Sequence, residues 1–458
     1  MPSNSAHSLT PRPPLPPLAR RVLPWLAALL GLGVVLQALR TPLPAEDGVS
    51  YLWIAQQFAA GEWHAAWSSV FPPGYPLLCA PGIALGGDPE WVGIGLSALC
   101  LAAALWPIAR LAERLAPGAG LLAALLFATS PLLTRLAAEN FSEAPFLLAG
   151  ALGLLAGLRA QWWRLGIWAG VAFWIRPEGL LLPAAFVLAR QWGAWRAFLP
   201  ALAGVLLLGI ARWTAGHGFD PLPIHGFHEQ RDDLPGRGEV LLNLLAVPAA
   251  WLEAFLLAGL LPLGLLRSLR QRDGARAPGP AVLGWGIALQ IAVVCTFVVR
   301  RRFFVSAVVQ VTVLAAVVLA RLPRTWRIVL LALALAFGVG AALQASPDPL
   351  RGADRELGLW LATQLQPGRT VTGDATRVVY YAGLPPLPPR HFTAEQLAAM
   401  AAPPEVQFVV LRGKSQRPAS QEAQRLLERD FEPLGLPAPL ADRMARRGLF
   451  VLARRSPR

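Results

Sequence analysis

Leu165–Arg190 reads LGIWAGVAFWIRPEGLLLPAAFVLAR, and whether it forms one helix or two decides the topology of the whole chain. As a single kinked helix it crosses a membrane once. As two short helices meeting at Arg176-Pro177-Glu178-Gly179, it returns to the side it came from. Pro177 lacks a backbone N–H and disfavours helical backbone at the residue before it, so a break at Arg176 is expected. Each half then spans only ~16–20 Å at 1.5 Å per residue, a little more if Trp162 and Trp163 or Gln191 and Trp192 extend it. The choice between the two rests on the charges of the remaining loops.

Working outward, apolar segments fall at about 22–39, 91–109, 118–134, 144–160, 165–175, 179–190, 197–213, 240–266, 280–299, 303–320 and 327–345. With two short helices at 165–190 and a cytoplasmic N-terminus, the inner loops hold Arg110, Arg114, Arg159, Arg164, Arg190, Arg196, Arg267, Arg270, Arg272, Arg276, Arg321, Arg324 and Arg327. Only Glu113 and Asp273 oppose them there. The outer loops carry most of the acids, among them Glu46, Asp47, Glu90, Glu139, Glu143 and Asp232. This is the asymmetry that membrane insertion selects. A single kinked helix would put the arginines of 267–276 on the outer side, so that reading is rejected.

Composition agrees. Hydrophobic residues make up 55% of 458 and charged residues 15%, a balance expected of a polytopic membrane protein. The net charge of +14 is carried by arginine, with Lys414 the single lysine, and it sits in short loops between apolar runs. That placement argues for topology signals and against a nucleic-acid partner. Arg, Ala and Leu usage suggests a GC-rich bacterial genome. Cys79, Cys100 and Cys295 lie in or beside apolar stretches without a CxxC pair, so neither a disulfide framework nor a zinc site is indicated. Residues 1–21 form a Pro-rich cytoplasmic tail, and the first apolar run after Arg20-Arg21 reads as an uncleaved anchor rather than a signal peptide. The expected fold is thus an α-helical membrane domain at 22–346, with about 11 segments and a large first outer loop at 40–90. Residues 347–458 follow as a small α/β domain on the outer face. In that domain RELGLWLATQL, TAEQLAAMAA and SQEAQRLLERDF read as helices, the second capped by Thr393. RTVTG, VQFVVLRG and GLFVLARR read as strands.

The outer loops carry the candidate chemistry. Glu46 and Asp47 directly follow the first span, and VSYLWIAQQFAAG after them reads as an amphipathic helix lying in the membrane interface. Phe71-Pro72-Pro73-Gly74-Tyr75-Pro76 then makes a rigid turn, so this loop can hold a carboxylate in a fixed position at the membrane surface. LAAENFSEAPFLL places Glu139 and Glu143 four residues apart, on one helical face if the span begins early. Alternatively, Asn140 or Ser142 caps the span and Glu143 sits in its first turn. Arg176 and Glu178 are either functional charges at membrane depth or a paired Pro-Gly turn in the headgroups. Arg300, Arg301 and Arg302 run against the positive-inside rule, and a phosphate at the interface supplies the reason, since guanidinium binds phosphate oxygens as a fork. His217, His225, His228, Asp232 and Asp233 share one outer loop. It reads either as a divalent-metal site, without tight ligand spacing, or as a loop that contacts substrate.

The order DGVSYLWIAQQFAAGEW, FPPGYPLL, FSEAPFLL, IRPEGLLL, RRFFVSAVVQ resembles the GT-C glycosyltransferases. It resembles in particular the bacterial branch related to aminoarabinose–lipid A transferases and protein O-mannosyltransferases. The likeness covers about residues 22–345. It implies a polyprenyl-phosphate sugar donor, an acceptor on the outer face of the bacterial cytoplasmic membrane, and an acid in the first outer loop as general base. Asp47 with Tyr51 matches that position; where many members have Asp-Glu this chain has Glu46-Asp47, so Glu46 stays a candidate. Ser142-Glu143 matches a Thr/Ser-Glu, and Arg302-Phe303 matches a late Arg-Tyr. Glu139, Arg176, Glu178, Arg301, His225 and His228 complete the candidate substrate contacts. The partners implied are that donor, membrane lipids, and a lipid, glycan or protein acceptor. A transporter or flippase of a lipid-linked molecule is the rival reading, although no internal repeat is visible and the acids cluster in outer loops.

Overall fold

The structure is a computed structural model and describes residues 15–41, 43–67, 71–221, 237–255, 259–260, 278–296, 301–344, 350–386, 392–412 and 418–455. The first described helix is α1 (Pro17–Arg40), and three helices too short to pass for a membrane span follow it: α2 (Glu46–Ala60), α3 (Trp63–Trp67) and α4 (Gly74–Ala84). α5 (Pro89–Leu115) follows, with Pro89 in its first turn and the Asp88 carboxylate accepting from Trp91 N at 3.0 Å. That acid occupies the helix N-terminus, where backbone donors are unsatisfied and the dipole favours negative charge. α6 (Ala119–Ala128) and α7 (Pro131–Ala138) are one apolar run bent by 49° at Pro131.

The deciding stretch is two helices. α9 (Trp162–Ile175) stops at Arg176, whose backbone is extended, and a 3-10 turn over Pro177–Leu180 leads into α10 (Leu181–Leu188). The chain reverses here: a Cβ on Gly179 would lie 2.4 Å from the Phe173 nitrogen and 2.8 Å from the Ala169 oxygen. A continuing helix would hold residues 169 and 179 about 15 Å apart. Only glycine permits so close a return. Before this hairpin runs α8 (Glu143–Gly157), and after it α11 (Phe198–Thr214), α12 (Arg237–Phe255) and α13 (Pro278–Cys295). A 3-10 turn at Arg301–Ala307 enters α14 (Val308–Arg321), the most enclosed of the long helices, and α15 (Arg324–Gln344) lies at the periphery.

Among the described residues, five helices are long and apolar enough to cross a membrane, or six counting the bent α6–α7 pair. The other segments expected from the sequence correspond to shorter helices, including α8, the 177–188 piece and α13. α2 is a helix, as expected, and its apolar face packs against the rest of the protein. α2 buries Val49, Tyr51, Leu52, Ile54 and Phe58, and the Pro72-Pro73-Gly74 turn is seated on the end of α9. A Cβ on Gly74 would sit 2.6 Å from the Trp174 oxygen.

The α/β domain opens with α16 (Arg351–Gln364), β1 (Thr370–Gly373) and α17 (Thr376–Tyr381). α18 (Ala394–Ala401) carries the expected Thr393 cap as a capping box with Gln396. β2 (Val406–Arg412), α19 (Pro418–Leu427), β3 (Phe431–Pro433), α20 (Ala438–Arg447) and β4 (Leu449–Arg454) complete it. The sheet order is β1-β2-β4-β3, parallel between β1 and β2 and antiparallel elsewhere, with Val409 opposite Leu452. Phe408 and Val410 pack against α16, α17 and α20, whereas Val409 and Leu411 pack against α18 and α19. β2 is therefore covered on both faces, which is why its sequence is a continuous apolar run.

Candidate functional site

Glu46 and Asp47 are adjacent in the first turn of α2, so their side chains leave the helix about 100° apart. They go to different places. Asp47 Oδ2 accepts from Arg302 Nη2 at 2.6 Å, whereas Glu46 pairs with Arg412 and lies 4.0 Å from Arg377 Nη2 of the α/β domain. Of the two candidate bases, Asp47 faces the helix bundle and Glu46 faces the docked domain.

Tyr51 lies one turn beyond Asp47 on the same face. Its ring is buried edge-on against Phe71 and Tyr75, with centroids 5.0 and 5.6 Å away, and its hydroxyl accepts from Ser142 Oγ at 3.3 Å. Burial, with the Asp47 charge adding to it, holds this phenol well above its ordinary range, so it stays neutral and keeps a proton to donate. Ser142 holds the N-cap position of α8 with Glu143 in its first turn, as one sequence reading had it, but its hydroxyl goes to Tyr51 and makes no capping hydrogen bond.

The corner between α7 and α8 separates the two acids expected on one helical face. Asn140 adopts φ +61° and is fully buried, a left-handed turn that costs a non-glycine residue energy and is tolerated best by Asn and Asp. On one side of it Glu139 Oε1 accepts from Arg351 Nη1 at 2.9 Å and from Arg135 Nε at 3.3 Å. The Glu139 carbonyl also accepts from Ala45 N at 3.0 Å, which pins the start of α2. On the other side Glu143 Oε1 accepts from Arg176 Nη1 at 2.7 Å, and Arg176 Nη2 donates to Glu178 Oε1 at 2.8 Å.

Asp47, Tyr51, Glu143, Arg176, Glu178 and Arg302 thus form one cluster, brought together from α2, the α7–α8 corner, the α9 hairpin and the 3-10 turn before α14. The Arg302 guanidinium lies over Phe141 and Phe303, 5.1 and 4.9 Å from their centroids. Its Nε and the Glu143 Oε2 are buried without a hydrogen-bond partner among the described residues. Unmet polar groups at a buried ion cluster are costly and mark spare capacity for a ligand. A narrow cavity of about 20 Å³ begins at Glu178 and continues between α8, α10, α13 and α14, lined chiefly by Phe146, Leu154, Leu182 and Val309, with Gln290 beside them.

Of the remaining candidates, His225, His228 and the Arg301 side chain lie outside the described residues. His217 is stacked on His64, ring centroids 4.4 Å apart. No group of three His, Cys, Asp or Glu residues placed to hold a metal occurs among the described residues. Sequence reasoning did not anticipate the ties to the α/β domain: Arg351 to Glu139, Arg412 to Glu46, and the Tyr381 hydroxyl donating to Glu90 Oε1 at 2.9 Å. Those partners are some 200 to 370 residues apart, and no local signal marks them.

A protein-family model described as dolichyl-phosphate-mannose-protein mannosyltransferase matches residues 71–213, under a third of the chain. No individually curated protein matches the sequence. Among solved structures, ArnT from Cupriavidus metallidurans in the apo state superposes with a TM-score of 0.65 at 16% identity, covering 94% of this chain and 98% of that one. The same protein bound to undecaprenyl phosphate gives 0.64 at 15% identity, covering 95% and 97%. An Archaeoglobus fulgidus oligosaccharyltransferase in complex with Zn and sulfate gives 0.58 at 14% identity, covering 84% and 68%. The near-complete coverage extends through the helix bundle and the α/β domain together: the chain has the GT-C fold of ArnT and its relatives.

Proposed function

We propose that this protein is a membrane glycosyltransferase that moves a sugar from a polyprenyl phosphate to an acceptor hydroxyl on the outer face of the bacterial cytoplasmic membrane. The N-terminus is then cytoplasmic and the α/β domain extracytoplasmic, in line with the arginine distribution. The observation that carries the reading is the Asp47–Arg302 pair at 2.6 Å, set beside Arg176, whose partner Glu178 borders a small apolar cavity. Cation and carboxylate are the parts that a lipid phosphate and an attacking hydroxyl require. The fold shared with a protein solved bound to undecaprenyl phosphate supports the donor class.

In this reading the donor phosphate enters beside Arg302 and exchanges with Asp47 for part of the guanidinium, whose buried Nε has a hydrogen to give. Asp47, released, accepts the proton of the acceptor hydroxyl as its oxygen attacks the anomeric carbon from the face opposite the phosphate. The bond from that carbon to the phosphate oxygen breaks, its electron pair stays on the phosphate, and the anomeric centre inverts. Arg302 and Arg176 stabilise the growing negative charge. Glu143 and Glu178 hold Arg176 in place, and Tyr51 fixes the acceptor side. Donor binding thereby unmasks the base.

The test uses the full-length protein in nanodiscs, a panel of undecaprenyl-phosphate sugars labelled in the sugar, and cell-envelope lipid, glycan and protein fractions as acceptors. Asp47→Asn should lower transfer by a factor of about 10²–10⁴ while undecaprenyl phosphate still binds. Undiminished transfer by that variant removes Asp47 as the base. Label crossing a sealed bilayer without transfer favours a flippase.

A further inference from the structure

A second cleft, of about 480 Å³, opens between α2, the start of α5 and the α/β domain. This is within the range of small-molecule sites. It does not belong to the Asp47 cluster. Trp53, Gln56, Gln57 and Ala60 line it from α2, and Gln56, nine residues beyond Asp47, projects from the opposite face of the helix about 14 Å along its axis.

The charges in the cleft are already answered. Asp88 is spent as the cap of α5. Glu90 receives the Tyr381 hydroxyl at 2.9 Å and lies 3.9 Å from Arg355 Nη1, whose guanidinium stacks over the Tyr381 ring at 5.3 Å. A charged ligand would have to displace these partners. What stays open is neutral and polar: the Gln56 and Gln57 amides, the Trp53 indole N–H and the Tyr380 hydroxyl make no side-chain hydrogen bond among the described residues. Burial, with Glu90 nearby, raises the Tyr380 phenol above its ordinary range, so it remains a donor. Amides that both donate and accept, set beside flat aromatic faces, suit a molecule with hydroxyls around its edge and C–H bonds on its face. That molecule is a sugar ring.

We propose that this cleft binds an uncharged saccharide portion of the acceptor, remote from the reacting hydroxyl. The assignment of the saccharide to the acceptor rests on the glycosyl-transfer reading above; the saccharide site itself does not.

The experiment applies full-length protein in nanodiscs to an array of defined neutral, amino and acidic bacterial envelope oligosaccharides. Wild type, Asp47→Asn, Gln57→Leu and Tyr380→Phe are compared, with folding checked by thermal melts. Neutral saccharides should be retained by wild type and Asp47→Asn and lost roughly tenfold in each cleft variant, the size of one or two hydrogen bonds. In transfer assays the same two variants should raise the acceptor KM by a similar factor and leave kcat and the donor KM unchanged. Wild type binding no sugar, or cleft variants binding as wild type, overturns the proposal. Retention of saccharides by a protein that transfers from no donor leaves the cleft standing and defeats the glycosyltransferase reading instead.

Discussion

Two neighbouring acids, Glu46 and Asp47, have unlike partners, and their variants should differ accordingly. Glu46→Gln removes a partly exposed pair with Arg412 and should keep at least about a tenth of wild-type transfer, since such pairs contribute ~1 kcal/mol or less. On the proposed mechanism Asp47→Asn removes the proton acceptor and should lower transfer far more. Transfer measured side by side in the two variants separates them, and equal losses would contradict the assignment of one base. Arg302 gives a second test. Lysine there keeps a charge but not the fork over Phe141 and Phe303, so Arg302→Lys should weaken undecaprenyl phosphate binding nearly as far as Arg302→Ala, by roughly tenfold or more. Binding by Arg302→Lys at wild-type strength would argue that simple charge suffices. Asp47 and Arg302 stood out in the sequence, one as part of an acid pair tight against an apolar segment and the other in a run of three arginines between two such segments, and the structure pairs them. The division of labour between Glu46 and Asp47 did not, because it depends on which way a helix is rotated. That rotation is set by Arg412 and Arg302, hundreds of residues away.

Among the elements, the break at Arg176 could be read from Pro177, Gly179 and the arginine pattern together, since only a reversal keeps the later loops on their proper sides. The strands β1, β2 and β4 and the capped α18 were equally visible, as runs with their own periodicity and turn signals. β3 was missed because three residues carry no periodicity, and α17 because TRVVYY reads as a strand by propensity until Val378 and Val379 are buried on α16. α2 was legible as a helix but not in its setting. An amphipathic helix at an interface and one wedged between bundle and domain show similar patterns. Its seating yields a prediction. A Cβ at Gly48 would come 2.4 Å from the Glu139 carbonyl oxygen, backbone that cannot move aside, while a Cβ at Gly95 in α5 meets nothing within 4 Å. Gly48→Ala should therefore destabilise by about 1–3 kcal/mol and push Asp47 off Arg302, lowering transfer beyond the loss of folded protein. Gly95→Ala should be neutral or slightly stabilising, as alanine favours helix. Thermal melts and transfer per folded molecule check both; a Gly48→Ala protein as stable and active as wild type would show that α2 is not pinned at this corner.

At the scale of the whole molecule, the α/β domain is fastened to the bundle by charges of consistent sign. Glu46, Glu90 and Glu139 come from the helical part, and Arg412, Arg377, Arg355 and Arg351 from the domain. Sequence charge counts see only a basic protein; the pairing across the seam appears once the chain is folded. These contacts bear on both faces of α2. On one side they keep Glu46 away from the cluster, and on the other they close the cleft at Tyr381. Each pair is partly solvated and weak alone, but the three acids act on adjoining elements, so losing several together should let the domain tilt. Arg351→Ala with Arg412→Ala should leave the folded α/β core intact, because its own buried network, Arg377 and Arg447 on Asp354, is untouched. Hydrogen exchange in α2 and at 139–143 should nevertheless rise. The same rise should appear in wild type at 1 M salt, where screening shortens the reach of such pairs to ~3 Å, and should be smaller at 0.1 M. Transfer should fall in step with the exchange, since α2 carries Asp47. If exchange in α2 stays at its wild-type rate in the double variant and at high salt, apolar packing rather than charge holds the domain down, and the path from domain position to Asp47 is closed.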